Sequence, residues 1–335
     1  SIKVGQLITG TSINTSPYTY VAAISGTSLT LSQVASGSST STLSFYTPHG
    51  IVVGGGNNTA TGSYSFIGGG GDAGTAGNRN VASGAWASVV GGMKNSASQE
   101  ASFVGGGYGN TASGLGSAVV GGGLYGSIQQ GQFAANLASG QAAFVGAGFN
   151  NIASGYGASV IGGNSNIASS NYAVASGAYG TTRSIVNSFA YGSVPIAGAY
   201  GVSQSALLVL GIETTNATAT VLRSDTSAAS GTNQVILPNN SAYFFTGEVV
   251  SGVTGGGNTK GWTIEGVIKR GANAASTALV GTPTVTSTYA DAGASTWVIA
   301  VTADTTNGGL AVTFTGQAST TIRTVAQIRT TEMTY

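Results

Sequence analysis

Residues 103–114 read Phe-Val-Gly-Gly-Gly-Tyr-Gly-Asn-Thr-Ala-Ser-Gly, and the middle of the chain returns to that phrase many times. Its second half, Asn-x-Ala-Ser/Thr-Gly, stands at 58–62, 80–84, 136–140 and 151–155, with worn copies at 95–99 and 166–170. Its first half, two apolar residues and a glycine pair, recurs as Phe66-Ile67-Gly68-Gly69, Val89-Val90-Gly91-Gly92 and Val119-Val120-Gly121-Gly122. Phe144-Val145-Gly146-Ala147 and Val160-Ile161-Gly162-Gly163 continue it. Between the first glycines Gly54, Gly68, Gly91, Gly105, Gly121, Gly146 and Gly162 the intervals are 14, 23, 14, 16, 25 and 16 residues, with looser copies near Gly177 and Gly192. Self-similarity at a fixed period marks a stacked-repeat architecture. The long intervals equal one period plus about nine residues, as insertions looping out of a regular coil would give.

Helices do not fit this pattern. Of the 56 glycines, 36 lie between Gly54 and Gly201, and each interior glycine costs a helix roughly 1 kcal/mol. Collagen is excluded because the period is not three and proline is scarce. A coil of short parallel strands does fit, one period making one layer, with layers about 4.8 Å apart. About nine layers would rise on the order of 45 Å at that spacing. Stacked Asn would form a hydrogen-bonding ladder at a turn, Ala would fill a narrow interior, and Gly would take positive φ at corners. Each period brings only two large apolar residues and one or two Ala, little to set against about 1–2 kcal/mol per ordered residue. Three chains side by side would share a core, so a homotrimer is expected.

The flanks read differently. Residues 1–47 alternate apolar and polar between Gly, Ser, Asn and Pro clusters, which predicts a small β module. Tyr46-Thr47-Pro48-His49-Gly50 reads as a hinge around the only histidine. The repeat array spans 48–204. Residues 205–335 hold fifteen glycines and thirteen of the nineteen charged side chains. There, alternating runs such as Tyr243/Phe245/Val249, Trp262/Ile264/Ile268, Trp297/Ile299/Val301, Leu310/Val312/Phe314 and Ile322/Ala326/Ile328 predict about eight strands of a β-sandwich or jelly roll. The fold class is therefore all-β: a parallel β-roll shaft with a C-terminal sandwich.

Composition narrows function further. Charged residues are 6% of the 335-residue chain and the net charge is +1, which gives no electrostatic reason to expect nucleic acid or an anionic membrane. No cysteine is present, so neither disulfides nor thiolate metal sites arise. The longest strongly apolar run, 206–212, falls far short of the roughly 18 residues of a membrane span. The chain opens on Ser rather than Met, as a piece of something longer would.

The repeat pattern resembles the β-roll heads of trimeric autotransporter adhesins and similar repeats in bacteriophage tail fibres. The segments LPNNSAYFFTGEVV (237–250), WTIEGVIKRGANAASTALVG (262–281) and WVIAVTADTTNGGLAVTFTG (297–316) resemble the C-terminal domain of phage tail fibres. The resemblance implies a virion-borne, extracellular homotrimer that joins other tail proteins on its N-terminal side and binds a host glycan or outer-membrane receptor. A bacterial adhesin head, a glycan-degrading tailspike and a structural decoration fibre are the alternatives.

Chemistry is sparse. Gly69 to Gly74 contains GxGxxG, but no helix follows and the glycines keep the repeat's own clock, so a dinucleotide site is not expected. Repeated calcium sites need an acid in every turn, and the array has only Asp72 and Glu100. A lone His49 without Cys or an acidic cluster reads as a boundary residue rather than a ligand or base. Glycan cleavage usually needs two carboxyls about 5 to 9.5 Å apart; the seven acids after residue 205 leave room for such a pair, but the expectation is a non-enzyme without a cofactor. Sugar binding calls for an exposed ring face beside polar groups. The candidates are Tyr289, Asp291, Trp297 and Asp304, with Trp262 and Lys260. Trp262 and Trp297 also fall in phase with apolar faces, a reading that makes them core. Tyr289-Ala290-Asp291 reads as a loop. The array's insertions, near 72–77 and 125–133, are places where side loops would contact something.

Overall fold

A computed structural model describes residues 2, 6–14, 16, 19–40, 42–46, 50–123, 134–194, 196 and 199–335. Residues 47–49 of the expected hinge, with His49, and the side loop expected at 125–133 lie outside the described residues. The protein is all-β, with almost no helix and a parallel β-solenoid of about nine turns. It divides into two compact units, Ser1–Ala142 and Ala143–Tyr335.

The first unit opens with two short antiparallel pairs, Leu7–Thr9 with Ser44–Tyr46 and Val21–Ser25 with Ser28–Leu31. The solenoid then begins. Two-residue strands stack in two parallel ladders. One runs Ile51–Val52, Phe66–Ile67, Ser88–Val89, Phe103–Val104, Ala118–Val119. The other runs Thr59–Ala60, Val81–Ala82, Ser96–Ala97, Thr111–Ala112, Leu137–Ala138. Ile51 pairs with Phe66 and Ser88 with Phe103, so a turn is 15 residues (66 − 51, 103 − 88). Phe66 pairs with Ser88 and Thr111 with Leu137, spans of 22 and 26, so the insertions add seven and eleven residues rather than nine each.

The repeated residues explain the coil. Ile67, Val89, Val104 and Val119 from one ladder, and Ala82, Ala97, Ala112 and Ala138 from the other, are fully buried. Asn80, Asn95, Asn110 and Asn136 are buried too, Asn58 half-buried, and each asparagine's Oδ1 accepts the backbone N–H of the asparagine one turn on: Asn58 from Asn80, Asn80 from Asn95 and Asn95 from Asn110 at 3.0 Å, Asn110 from Asn136 at 3.1 Å. The amide nitrogen of Asn95 donates to Gly91 O and Gly107 O at 2.9 Å each, and Asn110 repeats this on Gly106 O and Gly122 O. The asparagines thus satisfy carbonyls that the glycine corners would otherwise bury unpaired, as buried backbone requires. Gly107 shows why glycine is needed there: its φ is 89°, and a Cβ would collide with the carbonyl oxygen of Gly122.

The second unit carries six strands of the same kind: Phe144–Val145, Ser159–Asn164, Val174–Ala178 and Phe189–Ser193 in one parallel ladder, and Ile152–Ala153 with Ile167–Ala168 in the other. Asn166 continues the ladder, its N–H donating to Asn151 Oδ1 at 3.0 Å. Ten further strands follow: β1 Ser203–Thr214, β2 Thr220–Val221, β3 Val235–Ile236, β4 Ser241–Val253, β5 Thr259–Arg270, β6 Ala278–Leu279, β7 Thr284–Ala290, β8 Val298–Asp304, β9 Gly309–Thr315 and β10 Ile322–Thr334. The solenoid strand Phe189–Ser193 pairs antiparallel with β1, which pairs on its other edge with β10. The border expected at residue 204 therefore falls inside a strand that both structures share. The sheet continues through β4 and β5, with β6 and β7 on the far edge of β5. A smaller antiparallel sheet has β9 at its centre, β8 on one edge, β2 and β3 on the other.

Alternation decides which face is buried. Tyr243, Phe245 and Val249 of β4, Trp262, Ile264 and Ile268 of β5 and Ile322, Ala326 and Ile328 of β10 share one core with Ile299, Val301, Leu310, Val312 and Phe314 of the smaller sheet. The rings of Trp262 and Trp297 meet Phe314 edge-on at 6.3 and 6.1 Å. A polar clip ties the last solenoid turn to this sheet. Arg183 Nε lies 3.1 Å from Glu332 Oε2, and Gln204 Nε2 and Thr330 Oγ1 each donate to Glu332 at 2.7 Å.

Candidate functional site

The β5–β7 edge holds most of the residues named from sequence. Lys260 pairs with Ala290 and Gly261 with Tyr289, and the register shifts between Gly261 and Trp262. Trp262 faces the core and Trp297 is covered beneath it, so neither indole offers a face to solvent. Lys260 is in phase with Trp262 and is buried as well. Its ammonium donates to Trp297 O at 2.8 Å and to Ser295 O at 3.3 Å, and stands 5.2 Å above the Trp262 ring. Two carbonyls and a ring face replace the water that a buried cation loses. Lys260 therefore anchors the turn before β8.

Above that anchor lies the surface. Tyr289 is 79% exposed, on an edge strand whose side chains are nearly all open to solvent. Asp291 follows at an exposed turn: its N–H donates to Thr259 O at 3.0 Å, and its Oδ2 accepts Thr259 N–H at 2.8 Å. These two bonds fix the turn to the start of β5, while the phenol stands free of the core. Tyr289 and Asp291 are thus brought together at the surface.

Asp304 is elsewhere. It ends β8, seven residues from Trp297, roughly 23 Å at strand rise, and its carboxylate is occupied. Oδ1 accepts Thr306 N–H at 3.0 Å and Asn307 N–H at 2.9 Å, and Oδ2 accepts Asn307 Nδ2 at 2.7 Å and Gln234 Nε2 at 3.1 Å. Partial burial pushes the carboxyl up, but the bonds from Asn307, Gln234 and Thr306 outweigh it and hold the group below its ordinary value. Asp304 staples a loop.

One arrangement was not named from sequence. On the outward face, Thr246 pairs with Glu265 and Glu248 with Thr263, which makes the two glutamates diagonal neighbours roughly 7–8 Å apart, their Cβ atoms somewhat closer. They line a shallow concavity of about 210 Å³ with Thr246, Thr263, Gln327 and Arg329. The signal was present in the outward phase of Glu248 and Glu265, but pairing them required the strand register. Among the described residues, no three His, Cys, Asp or Glu side chains gather as a metal site would require, and no helix is long and apolar enough to cross a membrane.

No protein-family model and no curated protein matches the chain. Among solved structures it is similar to the tailspike protein of Acinetobacter baumannii phage AM24, with 8% identity and a TM-score of 0.24 over 80% of this chain and 49% of that one. It is also similar to the tailspike protein of Acinetobacter phage vB_ApiP_P1, with 9% identity and a TM-score of 0.17 over 81% of this chain and 56% of that one. The chain spans about half the length of these tailspikes.

Proposed function

We propose that this chain is part of a phage tail attachment protein, a homotrimer carried on the virion that binds a host cell-surface glycan without covalent chemistry. The reading is carried by how side chains are allotted. In the solenoid, Asn, Gly and Ala bond and pack with one another, whereas at the β5–β7 edge Tyr289 and Asp291 stand open beside a rigid core. A phenol face under a sugar's apolar side, with a carboxylate at its hydroxyls, is a common carbohydrate contact. Threefold repetition turns weak single sites into useful avidity. The trimer is supported by apolar side chains that the solenoid leaves outward: Val53, Val90, Phe103 and Val120 are all exposed, and copies packed on that face would bury them.

The test is a glycan array with the intact protein, paired with host-cell adsorption of a Tyr289→Ala/Asp291→Ala variant. Weaker binding with unchanged assembly is expected; unchanged binding discards the site. Light scattering should give three times the 32.7 kDa chain mass, and a monomer mass at micromolar concentration ends the trimer.

The Glu248/Glu265 concavity favours a second reading, glycan hydrolysis. Carboxyls about 5–9.5 Å apart serve retaining or inverting cleavage, and Arg329 lies beside them. Shortening of host polysaccharide by the wild type but not by Glu248→Gln or Glu265→Gln would establish it.

A further inference from the structure

The solenoid of the first unit carries an aromatic pair that neither its interior nor its hydrogen-bond ladder requires. The rings of Tyr64 and Trp86 are stacked, 6° from parallel with centroids 6.0 Å apart, and are 53% and 55% exposed. They occupy equivalent corners of successive turns: Trp86 N–H donates to Ser63 O, Ala101 N–H to Ala85 O, and Gly116 N–H to Glu100 O. The corner is left-handed turn after turn, with φ of 59° at Tyr64, 54° at Trp86, 54° at Ala101, 61° at Gly116 and 54° at Ala142. Glycine holds this conformation without strain, whereas a bulky side chain costs roughly 1–2 kcal/mol there. Tyr and Trp are held at a strained corner whose equivalent two turns further on is Gly116.

The row is also interrupted. Beyond Trp86 come Ala101 and Gly116, so the indole face turned away from Tyr64 looks over two small residues. With layers about 4.8 Å apart, the step is one to two turns tall, the thickness of a sugar ring. Glu100, exposed and one of only two acids in the array, immediately precedes Ala101, and Gln99, also exposed, precedes it. A chain with so little charge places a carboxylate and an amide at the rim of its exposed aromatic shelf.

We propose that Trp86, Ala101 and Glu100 form a second saccharide site, which holds a neutral hexopyranose unit. The sugar's C–H face stacks on the indole as the next ring of the row, and Glu100 accepts from its hydroxyls. The carboxylate disfavours acidic sugars by repulsion. The proposal rests on the glycan-binding reading above but uses none of its residues, so the two fail separately.

Of three tryptophans only Trp86 is exposed, since Trp262 and Trp297 are core, and tryptophan emission therefore reports this shelf. The full chain is titrated with tetrasaccharides of β-linked glucose, galactose or N-acetylglucosamine. A saturable emission change with at least one of them is expected, at least tenfold weaker in Ala101→Leu, which fills the step while leaving the stacked pair in place; Trp86→Ala lacks the reporter, so its expected loss of binding is read by calorimetry. If both variants bind array glycans like the wild type while Tyr289→Ala/Asp291→Ala does not, the shelf is refuted and the β5–β7 site stands. If no probe perturbs the emission, the shelf is overturned whatever the protein does on cells.

Discussion

Glu332→Gln should destabilise the second unit by roughly 3–5 kcal/mol, the usual cost of removing one partner from a buried ion pair. The Arg183 and Glu332 side chains are 10% and 3% exposed, at 3.1 Å. Glutamine keeps the shape of Glu332 but only one oxygen: turned to Arg183 and Gln204 it still accepts from them, while its amide nitrogen donates to the Thr330 hydroxyl, so the main loss is the charge. Arg183 keeps its bond to Gly201 O at 2.7 Å and its place 5.7 Å over the Tyr243 ring, but its charge is left uncompensated. Replacing the pair together, Arg183→Met with Glu332→Leu, should cost less than Glu332→Gln alone, because no stranded charge remains. The assay is urea unfolding at fixed protomer concentration, followed by emission in a Trp86→Phe background. Only Trp262 and Trp297, both in the second unit's core, then report. A Glu332→Gln cost under about 1 kcal/mol, the range of solvent-exposed pairs, would refute the clip as a desolvated pair.

Three further outcomes follow from the same geometry. Asn95→Ala removes donors to Gly91 O and Gly107 O and the acceptor of Asn110 N–H; unpaired buried groups cost about 1–3 kcal/mol each, so a loss of roughly 3 kcal/mol is expected in thermal unfolding. Gly107→Ala should be similarly damaging, whereas Gly91→Ala, where nothing lies within 4 Å of a new Cβ, should be nearly neutral; equal effects would contradict the stacking. Burial, aided by Glu332 and opposed by Arg183, holds the Tyr243 phenol well above its ordinary value. The unfolded phenol titrates near 10, so the stability it lends is complete below about pH 10 and is lost as pH rises beyond. Asp304, held low, acts in the opposite sense: its contribution is present above the unfolded value near 3.9 and falls away as pH drops through the folded one. Asp304→Asn should flatten the acid limb of a pH–stability curve and leave the alkaline limb unchanged.

The solenoid was legible because each repeated residue answers one local demand. Asn is demanded by glycine carbonyls, Gly by the close approach of the next turn, Ala by a narrow interior. What escaped the sequence depended on partners far along the chain. Alternation puts Lys260 in phase with Trp262, yet lysine is almost never fully buried, and only the carbonyls of Ser295 and Trp297, 35 and 37 residues away, make its burial tolerable. Asp304 was readable after all. Asp-Thr-Thr-Asn at 304–307 is a local side-chain-to-backbone turn of the kind Asp favours, and its carboxylate is used up within three residues apart from Gln234. The Tyr64–Trp86 pair was hidden by the seven-residue insertion, which places equivalent corners 22 residues apart instead of 15.

The same constraint argues where function can sit in a chain of this kind. Within a turn, the asparagine, the corner glycine and the inward Ala and Val are each held by a neighbour one layer away. A change at any of them propagates along the ladder. The positions free of that coupling are few: the outward strand residues, which alternate between large and small as in Gly68, Val90, Gly105 and Val120, and the left-handed corner occupied by Tyr64, Trp86, Ala101 and Gly116. The first set forms a continuous apolar face suited to another copy of the chain. The second keeps its left-handed backbone in every turn, but its side chain varies from ring to methyl to hydrogen. Variation in a side chain that the fold does not dictate is where a ligand can be accommodated without loosening the coil, which is why the shelf is proposed beside the β5–β7 site. Ala101→Leu separates these cases, because it touches the free corner and none of the coupled positions.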